Sequence, residues 1–243
     1  MMDEIELLRN IIEESESIVF FGGAGVSTES GIPDFRGASG LYNEEQDDGM
    51  SPEEKLHINY LLSNPQGFFR YYKGNMMCTW AEPNDAHMVL SELEREGKLT
   101  LVVTQNIDGL HQKAGSVNVA ELHGSIYRNY CVDCGKRYSI DHIVDSDSVP
   151  RCTECGGIVR PDVVLYGEPL SADVWYRAEE SICTCDTLIV AGTSLTVAPA
   201  STLIDCFSGN HLVIINQTPT DRDDEAELVI RGSVGEVLRK AKS

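Results

Sequence analysis

Four of the eight cysteines in the chain are spaced like the ligands of a metal ion. Cys131, Cys134, Cys152 and Cys155 form two C-x2-C pairs with seventeen residues between the pairs. Each pair can place two thiolates on one tight turn, and two such turns complete a tetrahedron around zinc. Because sulfur would fill all four positions, none remains for water. The spacing therefore predicts one structural Zn2+ ion, with a redox-active C-x2-C pair as the alternative.

A glycine-rich stretch near the amino terminus has the composition of a phosphate-binding loop. An apolar run at residues 17–21 predicts a buried strand, and Gly22, Gly23 and Gly25 follow it. Such glycines can adopt positive φ and let amide groups approach a diphosphate. A tight turn without a ligand is the alternative, because Thr28 occupies the third glycine position of the dinucleotide fingerprint. The stretch ends in an acid, a ring and a cation that could contact the same ligand: Asp34, Phe35 and Arg36.

Polar side chains follow the next predicted strand, residues 100–104. In the segment QNIDGLH, residues 105–111, Asn106 can donate and accept through one amide, and Asp108 can accept from an amide NH2 group. The pair therefore suits recognition of a carboxamide, although a self-capped polar turn is an equally open interpretation. Because ligands bind at the carboxyl ends of parallel strands, this loop and the glycine-rich loop should face one crevice.

His123 is the histidine best placed to move a proton. It lies in the strand-like segment VAELHGS, residues 119–125, and Gly124 after it leaves one side of the ring open to a substrate. An imidazole with an ordinary pKa of about 6.5 can accept a proton at neutral pH. We expect His123 to be a general base, whereas the other five histidines lack such a setting.

The hydrophobic pattern predicts the elements that hold these residues. Strands alternate with amphipathic helices, which favours an α/β fold with a parallel sheet covered by helices. An aromatic-rich helical region at residues 52–77 should pack in a core. Thr193, Ser194 and Asn216 end two strands with small polar groups that can meet phosphate or ribose. The predicted strands lie at 17–21, 100–104, within 160–168, and at 187–195, 212–217 and 228–230, and the predicted helices lie at 4–12, 85–96 and 233–241.

The charge of the chain limits its partners. The 243 residues include 19 Lys and Arg against 39 Asp and Glu, so the formal net charge is −20. Such a surface repels nucleic acid and anionic lipid. The amino terminus lacks the features of a secretion signal, and no apolar run reaches the roughly 18 residues that span a bilayer. We therefore expect a cytoplasmic protein without nucleic-acid or membrane partners, in which Cys78, Cys183, Cys185 and Cys206 stay reduced.

The motifs, taken together and in order, resemble those of the sirtuins, the NAD-dependent protein deacylases. They are GAGVSTESGIPDFRG at 23–37, TQNIDGLH at 104–111, ELHG at 121–124, the four cysteines, VVLYGE at 163–168, GTSL at 192–195 and the strand into Asn216. The set runs from near residue 15 to the carboxyl end, and it is far more specific than any one motif. The chain is identified as a member of this family, of the bacterial type.

The resemblance implies two domains with a cleft between them. The large domain would be a Rossmann-type parallel sheet made of residues 1–37, 86–125 and 158–243. The small domain would combine a helical insertion, residues 38–85, with a zinc ribbon, residues 126–157. NAD, as co-substrate, and an acetylated lysine peptide or protein would enter the cleft from opposite sides. We expect the protein to be a monomer.

The resemblance also assigns site residues. His123 would be the general base, and Asn106 and Asp108 would act with it as catalytic residues, lining the nicotinamide pocket together with Ile107. The residues that would contact NAD are Ala24, Thr28, Phe35, Arg36, Gln105, Ile107, Asp108, His123, Thr193, Ser194, Asn216 and Val234.

The reaction implied by the resemblance is deacetylation of lysine at the expense of NAD. The bond from nicotinamide to ribose would break, and the acetyl oxygen would capture the ribose carbon to form an imidate. His123 would take a proton from the ribose hydroxyls, so that the 2' oxygen attacks the imidate carbon, and addition of water would then release the amine of lysine. The products would be free lysine, nicotinamide and 2'-O-acetyl-ADP-ribose. The substrate backbone would pair with residues 163–166 as an added strand.

Some positions depart from the family pattern. Gly22 stands where a threonine is common, and Tyr166 stands where a phenylalanine is common, which adds a hydroxyl at the acyl-lysine tunnel. Family members that remove succinyl groups share a Y-x-x-R pattern, and the aligned residues here are Phe69 and Tyr72. Without the arginine no fixed cation would meet an acyl carboxylate, so we expect a preference for acetyl and other neutral acyl groups.

Other functions fit parts of the pattern. A zinc ribbon that binds nucleic acid is opposed by the charge. An ADP-ribosyltransferase would trap the same ribose carbon with another nucleophile, and a non-catalytic NAD sensor would not need Asn106, Asp108 and His123 together. A dehydrogenase is disfavoured because the spacing after Gly25 is wrong and no ribose-binding acid can be placed about 20 residues on.

Overall fold

Strands and helices alternate along the chain in the computed structural model, which describes residues 2–34 and 49–243. The strands in these residues are β1 (Ile18–Gly22), β2 (Leu99–Thr104), β3 (Val119–Glu121), β4 (Gly124–Cys131), β5 (Arg137–Tyr138), β6 (Val159–Val163), β7 (Thr187–Ala191), β8 (His211–Ile215) and β9 (Leu228–Ile230). The helices are α1 (Met2–Glu14), α2 (Pro52–Lys55), α3 (Ile58–Ser63), α4 (Pro65–Asn75), α5 (Asp85–Arg95), α6 (Leu110–Lys113), α7 (Ile140–Val144), α8 (Ala172–Thr184) and α9 (Val234–Lys242). In these two ranges, no helix is both long and apolar enough to cross a bilayer.

Six strands form one parallel sheet in the order β3-β2-β1-β7-β8-β9. Every residue of β1 and β7 is buried, as expected for central strands that are covered on both faces. The chain order reverses between β1 and β7. At such a reversal the loops at the carboxyl ends of neighbouring strands diverge and leave a crevice. The predicted α/β fold of the Rossmann type is confirmed.

The two faces of this sheet carry separate cores, and β1 shows why. Successive side chains of a strand point to opposite faces, so Phe20 packs with α1, α5 and α9 while Phe21 packs with α8 and the 3-10 helix Ala200–Cys206. Both rings are fully buried, and burial of each contributes about 1.5–3 kcal/mol. The apolar run that follows α1 in sequence therefore anchors both layers of helices.

Helix α5 is bounded by local signals in the sequence. The Asn84 side chain accepts a hydrogen bond from the Ala86 amide at 2.9 Å, and the Asn84 amide donates to Nδ1 of His87 at 3.2 Å. These bonds satisfy amides that have no partner inside the helix. The helix is followed by Gly97 with φ of 76°, a left-handed conformation that favours glycine.

The small domain has its own sheet and core. Strands β5, β4 and β6 form an antiparallel sheet in that order, and α2, α3 and α4 pack against it. Phe68 and Tyr72 stack with ring centroids 5.6 Å apart inside this core, which confirms that the aromatic-rich region is structural. The described part of the helical insertion and the zinc ribbon thus share one core; residues 38–48 lie outside the described residues.

The strand predicted within residues 160–168 has a different partner from the one implied by the sequence. It is β6, and it pairs with β4, with Val163 opposite Gly124 and Val159 opposite Cys131. The domain assignment from sequence put residues 158–163 with the large domain, whereas their strand belongs to the smaller sheet. A short apolar run indicates a buried strand but does not identify the sheet that buries it.

Candidate active site

A cavity of about 310 Å3 lies where the crevice of the parallel sheet meets the small domain. Its walls include the loops that follow β1 and β2, the residue before β4, and residues of the helical insertion. The loop residues predicted from sequence that line it are Ala24, Gln105, Asn106, Ile107, Asp108 and His123. The prediction that the glycine-rich loop and the QNIDGLH loop face one crevice is therefore confirmed.

His123 is held so that one ring nitrogen is basic. Its Nδ1 lies 2.8 Å from the carbonyl oxygen of Gln105, and because a carbonyl can only accept, Nδ1 carries the proton. Nε2 is then the unprotonated nitrogen. Burial lowers the pKa of His123, and the hydrogen bond to Gln105 offsets part of this shift. The ring is therefore neutral at pH 7 and can accept a proton at Nε2.

Gly124 is required by the backbone rather than by a substrate. Its φ is 78°, and a Cβ at this position would lie 1.9 Å from the carbonyl oxygen of Asp162 in β6. At His123 the chain passes from β3 of the parallel sheet into β4 of the antiparallel sheet, and Gly124 packs directly against β6. Only glycine fits this crossing, which fixes the imidazole at the junction of the two sheets.

A buried network joins the glycine-rich loop to the QNIDGLH loop. The hydroxyl of Ser27 donates to Oδ2 of Asp108 at 2.6 Å, and the amide of Leu110 donates to Oδ1 at 2.9 Å. The amide nitrogen of Asn106 donates to the carbonyl of Gly23 at 3.0 Å and to Ser27 Oγ at 3.1 Å. Burial raises the pKa of Asp108, and the bonds from Ser27 and Leu110 oppose that shift. Both amide donors of Asn106 are therefore used inside the protein, and its carbonyl oxygen is the group left to meet a ligand.

Ser27 is a site residue that sequence reasoning missed. It is buried and lines the cavity, and it connects the two polar side chains that were predicted. The sequence contains Ser27 and Ser30 in one short stretch, and no local pattern separates a buried serine from an exposed one. Only the proximity of the loops after β1 and β2 shows which hydroxyl reaches Asp108.

The glycines after β1 serve a purpose different from the predicted one. None of Gly22, Gly23 and Gly25 has positive φ. A Cβ at Gly23 would lie 2.7 Å from Cβ of Thr193, and a Cβ at Gly25 would lie 2.7 Å from Cα of Gly192. The amides of Gly23 and Gly25 donate to the carbonyls of Ala191 and Gly192. The prediction of positive φ and ligand-facing amides is therefore wrong at these positions, because the glycines let the loop pack against the end of β7.

The remaining predicted cofactor contacts lie at varied distances from the cavity. Gln105 Nε2 donates to Thr193 Oγ1 at 3.3 Å, and Asn216 Nδ2 donates to the Thr193 carbonyl at 3.2 Å, so these residues form a line along the strand ends. Thr28 bonds back to its own loop, and Ser194 is exposed beside Thr196. The side chain of Val234 is buried in the core of the large domain. Phe35 and Arg36 lie outside the described residues.

The small domain supplies the opposite wall. Tyr72 and Asn75 of α4 line the cavity, whereas Phe69, one of the two residues aligned from sequence, lies in the core. Burial raises the pKa of Tyr72, and its hydroxyl has no hydrogen-bond partner among the described residues. The described residues around the cavity include neither lysine nor arginine. The described part of this wall therefore offers no lysine or arginine that could pair with a ligand carboxylate.

The backbone at residues 163–166 is already engaged by the protein. The amide of Val164 donates to the carbonyl of His123 at 2.9 Å, and the amide of Tyr166 donates to the carbonyl of Leu56 at 3.1 Å. The amide of Leu165 donates to Glu168 Oε2 at 2.9 Å. The expected addition of a substrate strand along this segment is therefore not supported, because three successive amides have partners.

The four predicted metal ligands converge at the far end of the small sheet. All four Sγ atoms lie within 4.8 Å of one another. The shortest Sγ–Sγ distances join cysteines of different C-x2-C turns: 3.4 Å between Cys131 and Cys155, and 3.5 Å between Cys134 and Cys152. Tyr138 donates a hydrogen bond to Cys152 Sγ at 3.1 Å and lowers the pKa of that thiol to about 6. This all-thiol set fits a structural zinc ion, and the remaining cysteines are also free thiols.

Comparison with known proteins gives one consistent family. The model of the Sir2 family matches residues 23–199. An NAD-dependent protein deacetylase from Clostridium perfringens (strain 13 / Type A) is 54% identical over 241 residues, which cover 99% of both chains. A Sir2 structure with a deacetylated p53 peptide and 3'-O-acetyl ADP ribose has a TM-score of 0.90 at 37% identity, covering 98% of this chain and 96% of that one. A Sir2 structure with a p53 peptide and NAD+ has a TM-score of 0.86 at 38% identity, covering 97% and 96%.

Proposed function

The chain belongs to the Sir2 family and is an NAD-dependent protein deacetylase, and we propose that it acts on acetyl-lysine with His123 as the general base. The reaction cleaves NAD to nicotinamide and transfers the acetyl group from lysine to ADP-ribose. The observation that carries the role of His123 is its hydrogen bond to Gln105, which leaves Nε2 unprotonated on the wall of the cavity.

NAD, when bound, supplies the ribose carbon that receives the acetyl oxygen and the nicotinamide that leaves. The residues of this chain bind, orient and deprotonate. His123 Nε2 takes the proton from a ribose hydroxyl and Nδ1 stays bonded to Gln105, so the imidazolium that forms is stabilised by a carbonyl. Asn106, Asp108 and Ser27 shape a polar pocket for the nicotinamide carboxamide. Apolar lining residues such as Ile107 keep water away from the reacting groups.

Further NAD contacts follow the family pattern. We propose that Ala24, Gln105, Thr193 and Asn216 contact the cofactor from the strand ends, supported by their positions in or beside the cavity. The same role is proposed for four residues that rest on the resemblance alone: Thr28, Phe35, Arg36 and Ser194. Val234 would contribute through its backbone, since its side chain packs in the core.

The substrates are proposed to be acetylated proteins rather than nucleic acid, and the protein is proposed to act as a cytoplasmic monomer. The net charge of −20 supports this choice of partner, because it attracts cationic lysine-rich segments and repels phosphates. Eight free thiols suit a reducing compartment. Light scattering at several protein concentrations tests the monomer.

The enzyme should remove neutral acyl groups from lysine faster than charged ones. Acetyl-lysine and succinyl-lysine peptides of one sequence would be compared at equal concentration. We expect faster deacetylation, because no described residue around the cavity is a cation that could pair with a succinyl carboxylate. Faster removal of succinyl would contradict this specificity while leaving the deacylase assignment intact.

The activity itself is tested by mass spectrometry of an acetyl-lysine peptide incubated with the protein, with and without NAD. We expect loss of the acetyl group and release of nicotinamide only when NAD is present. His123→Ala should lower the rate by roughly 10^2- to 10^4-fold, the usual contribution of a general base. His142→Ala, at a histidine in the zinc ribbon, is the matched control and should keep the wild-type rate. Deacetylation without NAD would refute the proposal.

A further inference from the structure

Arg160 is a buried cation outside the catalytic machinery described above. It lies in β6 and is 4% exposed, and its guanidinium donates four hydrogen bonds. Nη1 donates to Glu168 Oε1 at 2.5 Å, and Nη2 donates to Glu168 Oε2 at 2.7 Å. This two-pronged ion pair is the strong geometry for a guanidinium and a carboxylate.

The ion pair also holds the backbone between its two members. Arg160 Nη2 donates to the carbonyl of Val163 at 2.8 Å, and Nε donates to the carbonyl of Pro161 at 3.2 Å. Glu168 Oε2 accepts from the amide of Leu165 at 2.9 Å. Carbonyl and amide groups of residues 161–165 are thus tied to one pair of side chains.

The segment that is held in this way is a wall of the catalytic cavity. Val163, Leu165 and Glu168 line it, as do the residues between them, and the amide of Val164 bonds to the carbonyl of His123. On its other side, the Arg160 guanidinium lies 5.8 Å from the ring centroid of Tyr130 in β4. Tyr130 is adjacent to Cys131, so Arg160 connects the zinc ribbon to the wall beside His123.

We propose that Arg160, acting through Glu168, is a positioning residue that sets residues 163–168 for binding of the acyl-lysine side chain. This inference rests on the proposed function, because it assigns this wall to the peptide rather than to NAD. Among residues 2–34 and 49–243, the hydrogen bonds and the ring contact of Arg160 do not involve the loops after β1, β2 or β7, which hold the predicted NAD contacts. Loss of the ion pair between Arg160 and Glu168 should therefore weaken binding of the peptide and leave binding of NAD unchanged.

Arg160→Lys is the main test. Lysine keeps the positive charge, but it cannot hold both oxygens of Glu168 and the Val163 carbonyl in a planar fork. We expect KM for the acetyl peptide to rise about tenfold, the factor for one ordinary hydrogen bond, with KM for NAD unchanged. Binding of a fluorescent acetyl peptide without NAD should weaken by the same factor.

Glu168→Gln is the second variant, since it keeps the shape and one acceptor oxygen but removes the charge. It should show the same selective rise in peptide KM. The control is Glu225→Gln, which removes one carboxylate from the surface pair between Arg222 and Glu225 and should leave both KM values unchanged. Melting temperatures of all three variants are measured alongside.

Different experimental outcomes distinguish failure of this inference from failure of the proposed function on which it rests. If the wild-type protein does not deacetylate with NAD, the proposed function fails. If it does and Arg160→Lys binds peptide like the wild type, the inference alone is overturned. It is also overturned if KM rises equally for peptide and NAD, or if both variants unfold at the assay temperature, because the pair is then only part of the fold.

Discussion

At the scale of the residue, the chemistry of the site depends on hydrogen bonds that fix which atom carries a proton. Gln105 determines that His123 is basic at Nε2, and Ser27 supplies a hydrogen-bond donor to the buried carboxylate of Asp108. His123, Asn106 and Asp108 could be selected from sequence as candidates because their residue types and neighbours are distinctive, and all three line the cavity. Ser27 could not, since its role depends on a contact across 81 positions of the chain.

Ser27→Ala should lower kcat/KM for NAD more than kcat/KM for the peptide. The change removes a donor from a buried carboxylate and one acceptor of the Asn106 amide, and the pKa of Asp108 should rise further. Loss of a hydrogen bond to a charged group costs about 1.5–3 kcal/mol, so kcat/KM for NAD should fall about 10- to 100-fold. Steady-state kinetics with each substrate varied in turn would measure this. Ser63→Ala, on the exposed face of α3, is the control, and an unchanged KM for NAD in Ser27→Ala would contradict the network.

A second residue-scale prediction concerns stability in acid. Burial lowers the pKa of His87 from 6.5 to about 4, and it lowers the pKa of His111, whose ring lies 4.7 Å away, well below its usual value. The unfolded chain therefore binds more protons below pH 6.5, so stability is full above this pH and falls as the pH drops toward 4. For His87 alone the loss approaches about 3 kcal/mol.

This prediction is checked by urea unfolding between pH 7.5 and 5. His87→Gln keeps a side chain that can accept from the Asn84 amide but removes the titrating ring, so it should flatten the decline. His142→Gln, at an exposed bond to the Arg151 carbonyl, should leave the decline as in the wild type. An identical pH dependence in His87→Gln and the wild type would refute the assignment.

At the scale of the element, the strongest periodic signals predicted the structure well. Strand β9 and the helices α5 and α9 were predicted within about two residues, and the central strands were found where apolar runs were bounded by glycine or polar residues. The partner of β6 and the packing of Gly23 and Gly25 against the end of β7 were not predictable. Both depend on which distant segment lies alongside, and local sequence does not encode that.

Removal of zinc should act first on the small domain. Cys131 and Cys152 are part of its core, and Val159 at the start of β6 pairs directly with Cys131. Without the ion, the four clustered thiols lose the metal–sulfur bonds that stabilise the ribbon, and β6, which leads to residues 163–168, loses its support at Cys131. We expect peptide binding to be lost while the parallel sheet still binds NAD.

The protein is treated with a strong chelator, and its zinc content is followed by atomic emission. Binding of a fluorescent acetyl peptide is measured by anisotropy, and binding of NAD is measured by calorimetry. Return of zinc should restore peptide binding. Protein that is shown to be free of zinc and still binds peptide as tightly as before would contradict a structural role for the ion.

At the scale of the whole molecule, the candidate site lies at the junction of the two domains. The parallel sheet brings the loops after β1, β2 and β7 to one edge, and the small domain closes the cavity with Tyr72, Asn75 and the segment from Val163. His123 stands at the crossing between the sheets, fixed by the contact of Gly124 with β6. The chain as a whole carries a formal net charge of −20, which favours association with cationic partners.

The most direct test of this account is to separate release of nicotinamide from formation of product in His123→Ala. Labelled nicotinamide and unlabelled NAD are incubated with the variant and an acetyl peptide, and both the exchange of label into NAD and the amount of deacetylated peptide are measured. We predict that exchange persists, because the proposed nicotinamide pocket of Asn106, Asp108 and Ser27 is intact in the variant, while deacetylated peptide falls by roughly 10^2- to 10^4-fold. Deacetylation by His123→Ala at the wild-type rate would contradict it.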